Sequence, residues 1–465
     1  MKPIKATRTE KNGSITIAAT AICLMGLLFG LDNFIIGLFP SGIDQMDRQL
    51  INSVAAILLL LILWLLASSG KLAEKVVIPL GLDSVRTSIV ICFALFFLNF
   101  LLLEFRINEL PFISPLAQNR LILILLMVSV FLLVIEFVFA WSRFSYLVLL
   151  LGIVAYGTLV WLEILKIPWL FSTENNYIGA MDAIGRFFIG LDPYQVFDES
   201  TDGPFTQLPG FWLQFFPAWL MEYDPRWINK IAFILSLLLV FLSTEKPQKL
   251  PVAHLLCVFM LIPFNISDNS TYLGSLAFAS ALTYFFFAKR LYLLGAAAIG
   301  WSLTISLYFW LIIPFALVFL FRKQPFLLWL LETVIVALFA STLLVSFWWM
   351  YPESFLYCTV EVWGDTVMRN GFNIAFMMEQ LVGRYGMIFL QVVSFLAFFM
   401  SFLKSQKSLS GFLIYSGLFA YLCVILNHVV NNYIFPVICL MIIAGITADG
   451  LPASNQKKQC DRVLN

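Results

Sequence analysis

Residues 326–350 read FLLWLLETVIVALFASTLLVSFWWM, a long run dominated by apolar side chains. A helix needs about 20 such residues to cross about 30 Å of hydrocarbon, so this run predicts a membrane-spanning helix. Blocks of similar length and composition occupy residues 15–39, 121–140 and 144–165. The whole chain is 61% hydrophobic and 12% charged, which gives more apolar surface than a water-soluble protein buries. We therefore predict an all-α polytopic membrane protein.

The charge and cysteine patterns argue against two kinds of function, nucleic-acid binding and metal binding by cysteine. The net charge is +1 and no basic stripe interleaves with aromatic residues, so we expect no nucleic-acid partner. The 7 cysteines fall mostly inside apolar blocks and lack CxxC spacing or a nearby histidine cluster, so we predict no metal site from them. The basic N-terminus precedes an apolar run that is too long for a signal peptide, which indicates a retained first span.

The order of basic residues along the chain predicts its topology, because lysine and arginine concentrate in cytoplasmic loops. Counting from a cytoplasmic N-terminus gives about fourteen spans and a cytoplasmic C-terminus, with membrane lipids as surrounding partners. The long polar loops 166–208 and 351–385 then both face the extracytoplasmic side. This order requires residues 291–321 to form two short helices that meet near 304–309, since a single span would reverse every later loop.

These patterns divide the chain into three parts. We expect residues 1–143 to form a four-helix transmembrane extension, 144–450 to form a transmembrane core with both long loops, and 451–465 to form a cytoplasmic tail. Long loops are usually functional, because ordering them costs conformational entropy with little hydrophobic return. Residues 209–221 are expected to form a short helix lying on, or dipping into, the outer face of the membrane.

The first long loop contains the pattern of an amphipathic helix. Apolar residues recur at helical spacing along one face: Tyr177, Met181, Ile184 and Phe188. Gly190 follows at the position where such a helix would stop. We expect this helix at the membrane interface. Asp182 and Arg186 lie four residues apart on its polar face, where they form either a surface ion pair or part of a site.

Glu174 stands just before this helix, where the helix N-terminus favours an anion. Thr173, Asn175 and Asn176 can cap the helix equally well, so the carboxylate is not needed for capping. Glu174 is therefore our first candidate for a general base.

Three segments of the loop carry a resemblance to a known superfamily. They are Glu174-Asn-Asn-Tyr177, Gly190-Leu-Asp192-Pro193-Tyr194 and Gln207-Leu-Pro209-Gly210. Together they are similar to the first outward loop of the GT-C superfamily, the integral membrane glycosyltransferases that use polyprenyl-phosphate sugars. The branch that looks most similar is the polyprenol-phosphate-mannose-dependent mannosyltransferases. Residues 272–320 resemble the small-residue helix and the broken helix pair of that branch. The likeness covers roughly residues 144–450 and is one of pattern.

The chain departs from the GT-C pattern in three respects. The acidic position holds Glu174, where relatives usually carry aspartate, and four additional spans precede that loop. Asp44 and Asp47, after the first span, are weaker alternatives for the acidic residue. The lysine that many relatives carry in the broken helix pair is missing, and Ser306 and Tyr308 stand near its position.

The resemblance implies a polyprenyl-phosphate-sugar-dependent glycosyltransferase. It would move a hexose, such as mannose, to a hydroxyl of a glycan, lipid or protein acceptor at the extracytoplasmic face, with inversion, as in cell-envelope glycan synthesis. A carboxylate must take the acceptor proton, and cations must neutralise the departing phosphate. Glu174 is the expected catalytic base and Asp182 the second candidate. The substrate-binding candidates are Tyr177, Arg186, Asp192, Tyr194, Gln207, Arg369, Arg384 and His428.

Several of these residues have simpler explanations. Arg369 and Arg384 can pair with acidic neighbours in a solvated loop. Asp192 is either a ligand for a divalent ion, which some relatives use and others do not, or a turn residue, and no metal cluster or cofactor stands out. Aromatic residues of the loop form either a platform for sugar and prenyl groups or a membrane-interface belt: Tyr194, Trp212, Phe215 and Trp219.

Two other functions compete with glycosyl transfer. A secondary transporter usually shows two similar halves and ionisable groups at mid-membrane. This chain shows no such halves, and the charges that we place inside its spans are Asp32, Glu136 and Glu163. The third function is a noncatalytic GT-C-like scaffold, because the aspartate and lysine of the family pattern are missing.

Overall fold

The computed structural model describes these stretches of the chain: 145–166, 175–195, 205–244, 249–260, 273–361, 375–404, 409–425 and 434–448. The predicted N-terminal extension and cytoplasmic tail lie outside the described residues, and so do Glu174, Arg369 and His428. Within the described stretches the chain is helical and contains no strand.

The described stretches contain fourteen α-helices. In chain order they are α1 (Ser145–Lys166), α2 (Asn175–Phe188), α3 (Pro209–Leu213), α4 (Phe216–Met221), α5 (Arg226–Ser243), α6 (Lys249–Met260), α7 (Leu273–Ala288), α8 (Tyr292–Leu303), α9 (Ile313–Lys323), α10 (Phe326–Met350), α11 (Pro352–Leu356), α12 (Ala375–Lys404), α13 (Leu409–Ile425) and α14 (Ile434–Ala448). A 3₁₀ helix (Leu307–Ile312) precedes α9, and a π-helical turn (Tyr357–Glu361) follows α11.

Three of the described helices, α1, α5 and α10, are long and apolar enough to cross a membrane. The surface of α10 is unusually apolar, with Leu327 76% exposed and Trp349 83% exposed. Water would make such a surface unfavourable, whereas lipid tails would cover it at no cost. The described residues thus belong to a helical membrane protein. The total of about fourteen spans stays a prediction.

The helices run between two ends of the bundle. At one end α6 and α1 meet, where the Lys249 ammonium donates a hydrogen bond of 2.6 Å to the Tyr146 hydroxyl. Arg322, near the end of α9, donates to the carbonyl of Leu403 in α12 over 2.8 Å. We call this the basic end, defined by Lys249, Arg322 and Lys323. The described parts of the two long loops lie at the opposite end, which we call the loop end. This separation of charge matches the predicted order of loops, and which end faces the cytoplasm stays a prediction.

The predicted helix break between α8 and α9 is confirmed. Residues 304–306 separate α8 from the 3₁₀ helix, and the Ser306 hydroxyl accepts the Tyr308 N–H over 3.3 Å. Pro314 stands in the first turn of α9, where its missing N–H costs nothing. The rings of Phe319 and Phe287 approach to 5.3 Å, so α9 returns toward the basic end, where α7 also finishes. The chain therefore makes a short hairpin whose bend lies at the loop end.

The contact between α5 and α7 fixes the loop end of the core. The side-chain carbonyl of Asn229 accepts the backbone N–H of Gly274 over 2.6 Å. A β-carbon on Gly274 would lie 1.8 Å from the backbone oxygen of Asn229, so only glycine allows the two helices to approach this closely. Small residues commonly permit such close packing between helices in membranes.

Candidate functional site

The predicted amphipathic helix is confirmed as α2. Its apolar face is fully buried at Tyr177 and Ile184, whereas Asp182 on the opposite face is exposed. Gly190 stops the chain with a φ of +79°, a conformation that favours glycine. The apolar face packs against the protein, chiefly α3 and α4, except at Phe188, which is 51% exposed. The position of this helix at the membrane interface stays a prediction.

Asp192 organises the turn that follows α2. Its carboxylate accepts the backbone N–H of Tyr194 over 2.9 Å, which closes the turn. The Arg186 guanidinium donates from Nε to the backbone carbonyl of Asp192 over 2.8 Å. Arg186 therefore holds the turn, and the ion pair with Asp182, one of the two alternatives for this residue, is not the contact that it makes.

The same carboxylate joins the two long loops. Ser354, in α11, donates its hydroxyl to Oδ2 of Asp192 over 2.5 Å. The Tyr351 hydroxyl donates to the carbonyl of Leu191 over 3.4 Å, beside that bond. These contacts bridge more than 150 positions of sequence, because α10 delivers its C-terminal end to the loop end. The prediction that the two loops share one side of the bundle is therefore confirmed.

Two groups at this junction are held in their neutral forms. Burial, helped by the nearby Asp192 carboxylate, raises the pKa of the Cys358 thiol to about 11. The same two causes, with burial again the larger, raise the pKa of the Tyr351 hydroxyl. Since the thiolate is the reactive form of cysteine, Cys358 is a packing residue at neutral pH.

The aromatic residues of the loop form a core and so do not provide the platform for sugar and prenyl groups, which was one of the two alternatives. Tyr194, Trp212 and Phe215 are at most 1% exposed, so their faces are unavailable to a sugar or a prenyl chain. The Trp212 ring contacts Phe347 of α10 edge-on, with centroids 5.2 Å apart. Only Trp219 among the four predicted platform residues is partly exposed, and it stacks on Phe188 at 5.3 Å. The sequence left the platform and the membrane-interface belt open, because composition does not reveal which aromatic rings are buried.

The short helices α3 and α4 confirm the helix predicted over 209–221, and α3 lies against the break between α8 and α9. The backbone N–H of Gly210 donates to the carbonyl of Thr304 over 2.9 Å. A β-carbon on Gly210 would lie 2.1 Å from the Thr304 hydroxyl oxygen, so glycine is required for this approach. The break is therefore a docking point for the loop.

Two predicted binding residues lie in one polar patch beneath α2. The Gln207 amide donates to the side-chain oxygen of Asn176 over 2.9 Å, and this bond pins the end of the loop to the first turn of α2. The Asn229 amide donates to the Tyr177 hydroxyl over 3.2 Å, inside the protein. Both Gln207 and Tyr177 are buried, so each acts first as a structural contact of the loop.

Two buried cations continue this polar patch along α5. Arg226 is 1% exposed and Lys230 is 2% exposed, although both stand in a helix that is long and apolar enough to cross a membrane. Asp224 forms an ion pair of 2.6 Å with Arg226. Sequence reasoning had interpreted this region only as the start of a span. The signal was present, since two cations four residues apart within an apolar helix are costly unless they face a partner or a cavity.

The predicted site residues are thus only partly brought together. Those that the structure gathers at the loop end are Tyr177, Arg186, Asp192, Tyr194 and Gln207. Arg384 lies in α12, directly after a non-helical residue, Gly383 with φ +71°. The described residues contain no group of three histidine, cysteine, aspartate or glutamate side chains that could hold a metal ion. Both carboxylate oxygens of Asp192 accept protein hydrogen bonds, which favours its role as a turn residue.

Comparison with family models, with curated proteins and with solved structures finds no match for this chain. Its function has to be argued from the site itself.

Proposed function

We propose that the chain is an integral membrane glycosyltransferase that moves a hexose from a polyprenyl-phosphate donor to an acceptor hydroxyl at the loop end. The acceptor oxygen attacks the anomeric carbon while Glu174 takes its proton, and the bond from that carbon to the phosphate oxygen breaks. The sugar is transferred with inversion, and polyprenyl phosphate leaves. In the proposed topology of about fourteen spans, the loop end lies outside the cytoplasm.

The observation that carries this proposal is the way three elements pack at the loop end. Helices α2 and α3 contact each other, α3 docks on the break before α9, and Asp192 ties the loop to α11. Helices α2 and α3 and the break before α9 belong to the segments that resemble the outward loop and the broken helix pair of GT-C enzymes. The buried cations Arg226 and Lys230 lie in α5, and Asn229 of the same helix donates a hydrogen bond to the Tyr177 hydroxyl of α2. The proposed site therefore combines a carboxylate before α2 with cations in α5.

The test is turnover by purified protein in lipid nanodiscs. The donor is radiolabelled polyprenyl-phosphate mannose, the acceptors are lipids and glycans extracted from the producing cells, and released polyprenyl phosphate is measured. We expect Glu174→Gln to lower turnover by about 10²- to 10⁴-fold, the usual contribution of a general base. Glu353→Gln, which alters an exposed carboxylate in the first turn of α11, is the matched control and should retain full turnover. Undiminished turnover by Glu174→Gln would remove Glu174 as the base.

A secondary transporter is the second candidate, and one observation favours it. Glu332 in α10 is 1% exposed, and among the described residues nothing donates a hydrogen bond to its Oε2. Sequence reasoning missed this residue. Ionisable groups inside the membrane commonly mark ion or substrate paths. Solute uptake into proteoliposomes that is abolished by Glu332→Gln, together with no sugar transfer by the unaltered protein, would favour transport over glycosyl transfer.

A further inference from the structure

Buried charge is rare in this protein, and most of it is concentrated in one place. Within the described residues the buried charged side chains are Arg226, Lys230 and Glu332. Arg226 and Lys230 are one helical turn apart in α5, a spacing that puts both on the same face with β-carbons about 6 Å apart. Burying each ion costs several kcal/mol of hydration free energy, so the pair requires a compensating anion or a dense set of acceptors.

The resident anion is Asp224. Its two carboxylate oxygens accept the Nε–H of Arg226 over 3.0 and 3.1 Å, and Oδ2 also accepts from Nη2 over 2.6 Å. Nη2 additionally donates to the carbonyl of Ile164, in the last turn of α1, over 3.1 Å. The guanidinium is thus fixed in place, with Nε and Nη2 facing the two oxygens of a carboxylate. Phosphate presents oxygens at the same spacing, and arginine binds both groups in this way.

The surroundings favour an anion further. Arg226 is the first residue of α5, where the positive end of the helix dipole lies. Asn229 and the Tyr177 hydroxyl add a neutral polar surface on the same side of the loop end. Asp224 keeps 18% of its side chain exposed, so the cluster reaches the surface at this corner. An anion arriving there meets a guanidinium whose present partner is only partly buried.

We propose that Arg226 and Lys230 form a phosphate-binding site in which Asp224 occupies the guanidinium until a phosphate displaces it. The inference deepens the proposed function and rests on it for the choice of phosphate, the group that leaves in the proposed transfer. Arg226 holds two phosphate oxygens through its fork, and Lys230 supplies a point charge one turn deeper in the helix. Arg226 and Lys230 of α5 thus replace Arg186, Arg369 and Arg384 as the residues proposed to bind the phosphate.

The test measures binding without transfer. Purified protein in nanodiscs is titrated with a polyprenyl monophosphate, with the matching polyprenol and with inorganic phosphate, and bound ligand is counted by native mass spectrometry. We expect Lys230→Met to weaken binding of the monophosphate by about 10- to 100-fold, the usual value of a hydrogen bond to a charged group. Lys230→Arg should restore most of it. Lys249→Met, at the basic end, is the matched control and should change nothing.

Asp224→Asn should change the affinity in the opposite direction from Lys230→Met. This variant therefore distinguishes a phosphate-binding site from a purely structural cluster. Removing the competing carboxylate should raise affinity for the monophosphate at least about fivefold, as expected for one unit charge at about 4 Å in a watery setting. A purely structural ion pair would instead lower the melting temperature in Asp224→Asn and leave affinity unchanged. That result, or equal affinity for monophosphate and polyprenol in the unaltered protein, would overturn the proposal.

The ligand arms distinguish the source of the phosphate. Tight binding of the monophosphate with weak binding of inorganic phosphate assigns the site to a lipid headgroup, and tight binding of inorganic phosphate assigns it to the free ion. Both results support the phosphate site. The binding assay contains no sugar, so its result does not depend on transfer activity. If the protein binds the monophosphate through Lys230 but transfers no sugar, the proposed function is wrong and the phosphate site is still supported.

Discussion

The hydrogen bond between Ser354 and Asp192 should contribute most of the stabilisation between the two long loops. It is short, at 2.5 Å, and its acceptor is a carboxylate at a half-buried position. Bonds to charged groups contribute about 1.5–3 kcal/mol, and partial exposure favours the lower figure. We expect Ser354→Ala to lower the free energy of unfolding by about 1.5 kcal/mol. Asp192→Ala also loses the bond from the Tyr194 backbone, so we expect about 3 kcal/mol.

A double-mutant cycle isolates the contact itself. If Ser354 contributes to stability through Asp192, then Ser354→Ala costs nothing further once Asp192 is alanine. The coupling free energy should therefore be about 1.5 kcal/mol, within the range for residues in direct contact. Thermal unfolding of the three variants in one detergent provides the measurement. Ser341→Ala is the matched control, because that exposed hydroxyl bonds only to a carbonyl of its own helix, that of Leu338.

The cycle has a clear opposing outcome. Effects that add within about 0.3 kcal/mol would mean that Ser354 and Asp192 act independently, and the loops would then be joined by other contacts. A destabilisation by Ser341→Ala as large as that by Ser354→Ala would also refute the reasoning, since only one of these hydroxyls bridges distant segments.

Two further predictions concern packing and protonation. Gly274→Ala should lower the free energy of unfolding by at least about 1–3 kcal/mol, because its β-carbon would meet the Asn229 backbone, whereas Gly157→Ala, with nothing within 4 Å, should be neutral or stabilise by up to about 1 kcal/mol. Thermal unfolding compares the two. In a variant whose only cysteine is Cys358, a thiol reagent should label the folded protein slowly at pH 8 and faster as pH rises toward 11, because burial favours the neutral thiol. Rapid labelling of the folded protein at pH 8 would contradict that protonation state.

The local elements were predictable because their signals are local. Helix α2 follows from apolar residues at a period of 3.6 and from the stop at Gly190. The break before α9 was required by charge order alone, and the chain makes it at residues 304–306. Both signals are read within a few turns of helix or from the sequence of loops, without any knowledge of which helices touch.

The contacts that join these elements were not predictable from one sequence. Nothing near Asp192 indicates that Ser354, more than 150 positions later, would donate to its carboxylate. The burial of Tyr194 and Trp212 depends in the same way on Phe347, which only the folding of α10 brings against them. Arg226 and Lys230 were overlooked because charged residues near a helix start usually lie at the membrane surface. The burial of Arg226 depends on α1, because the final turn of that helix presents the Ile164 carbonyl to the guanidinium.

The two proposals make independent demands on the loop end. If Glu174 is the base, Glu174→Gln should keep its affinity for polyprenyl monophosphate and lose turnover, since the proton acceptor is not part of the phosphate site. If Arg226 and Lys230 hold the phosphate, Lys230→Met should lose affinity first and turnover only as a consequence, so that high donor concentration restores part of the rate. Either variant could instead lose affinity and turnover to the same extent, even with saturating donor. That result would mean that proton transfer and phosphate binding are not separate tasks of Glu174 and of the two cations. Lys249 and Arg322 lie at the opposite end of the bundle, and Arg186 at the loop end holds the turn after α2, so the phosphate is assigned to the two cations that are buried, Arg226 and Lys230.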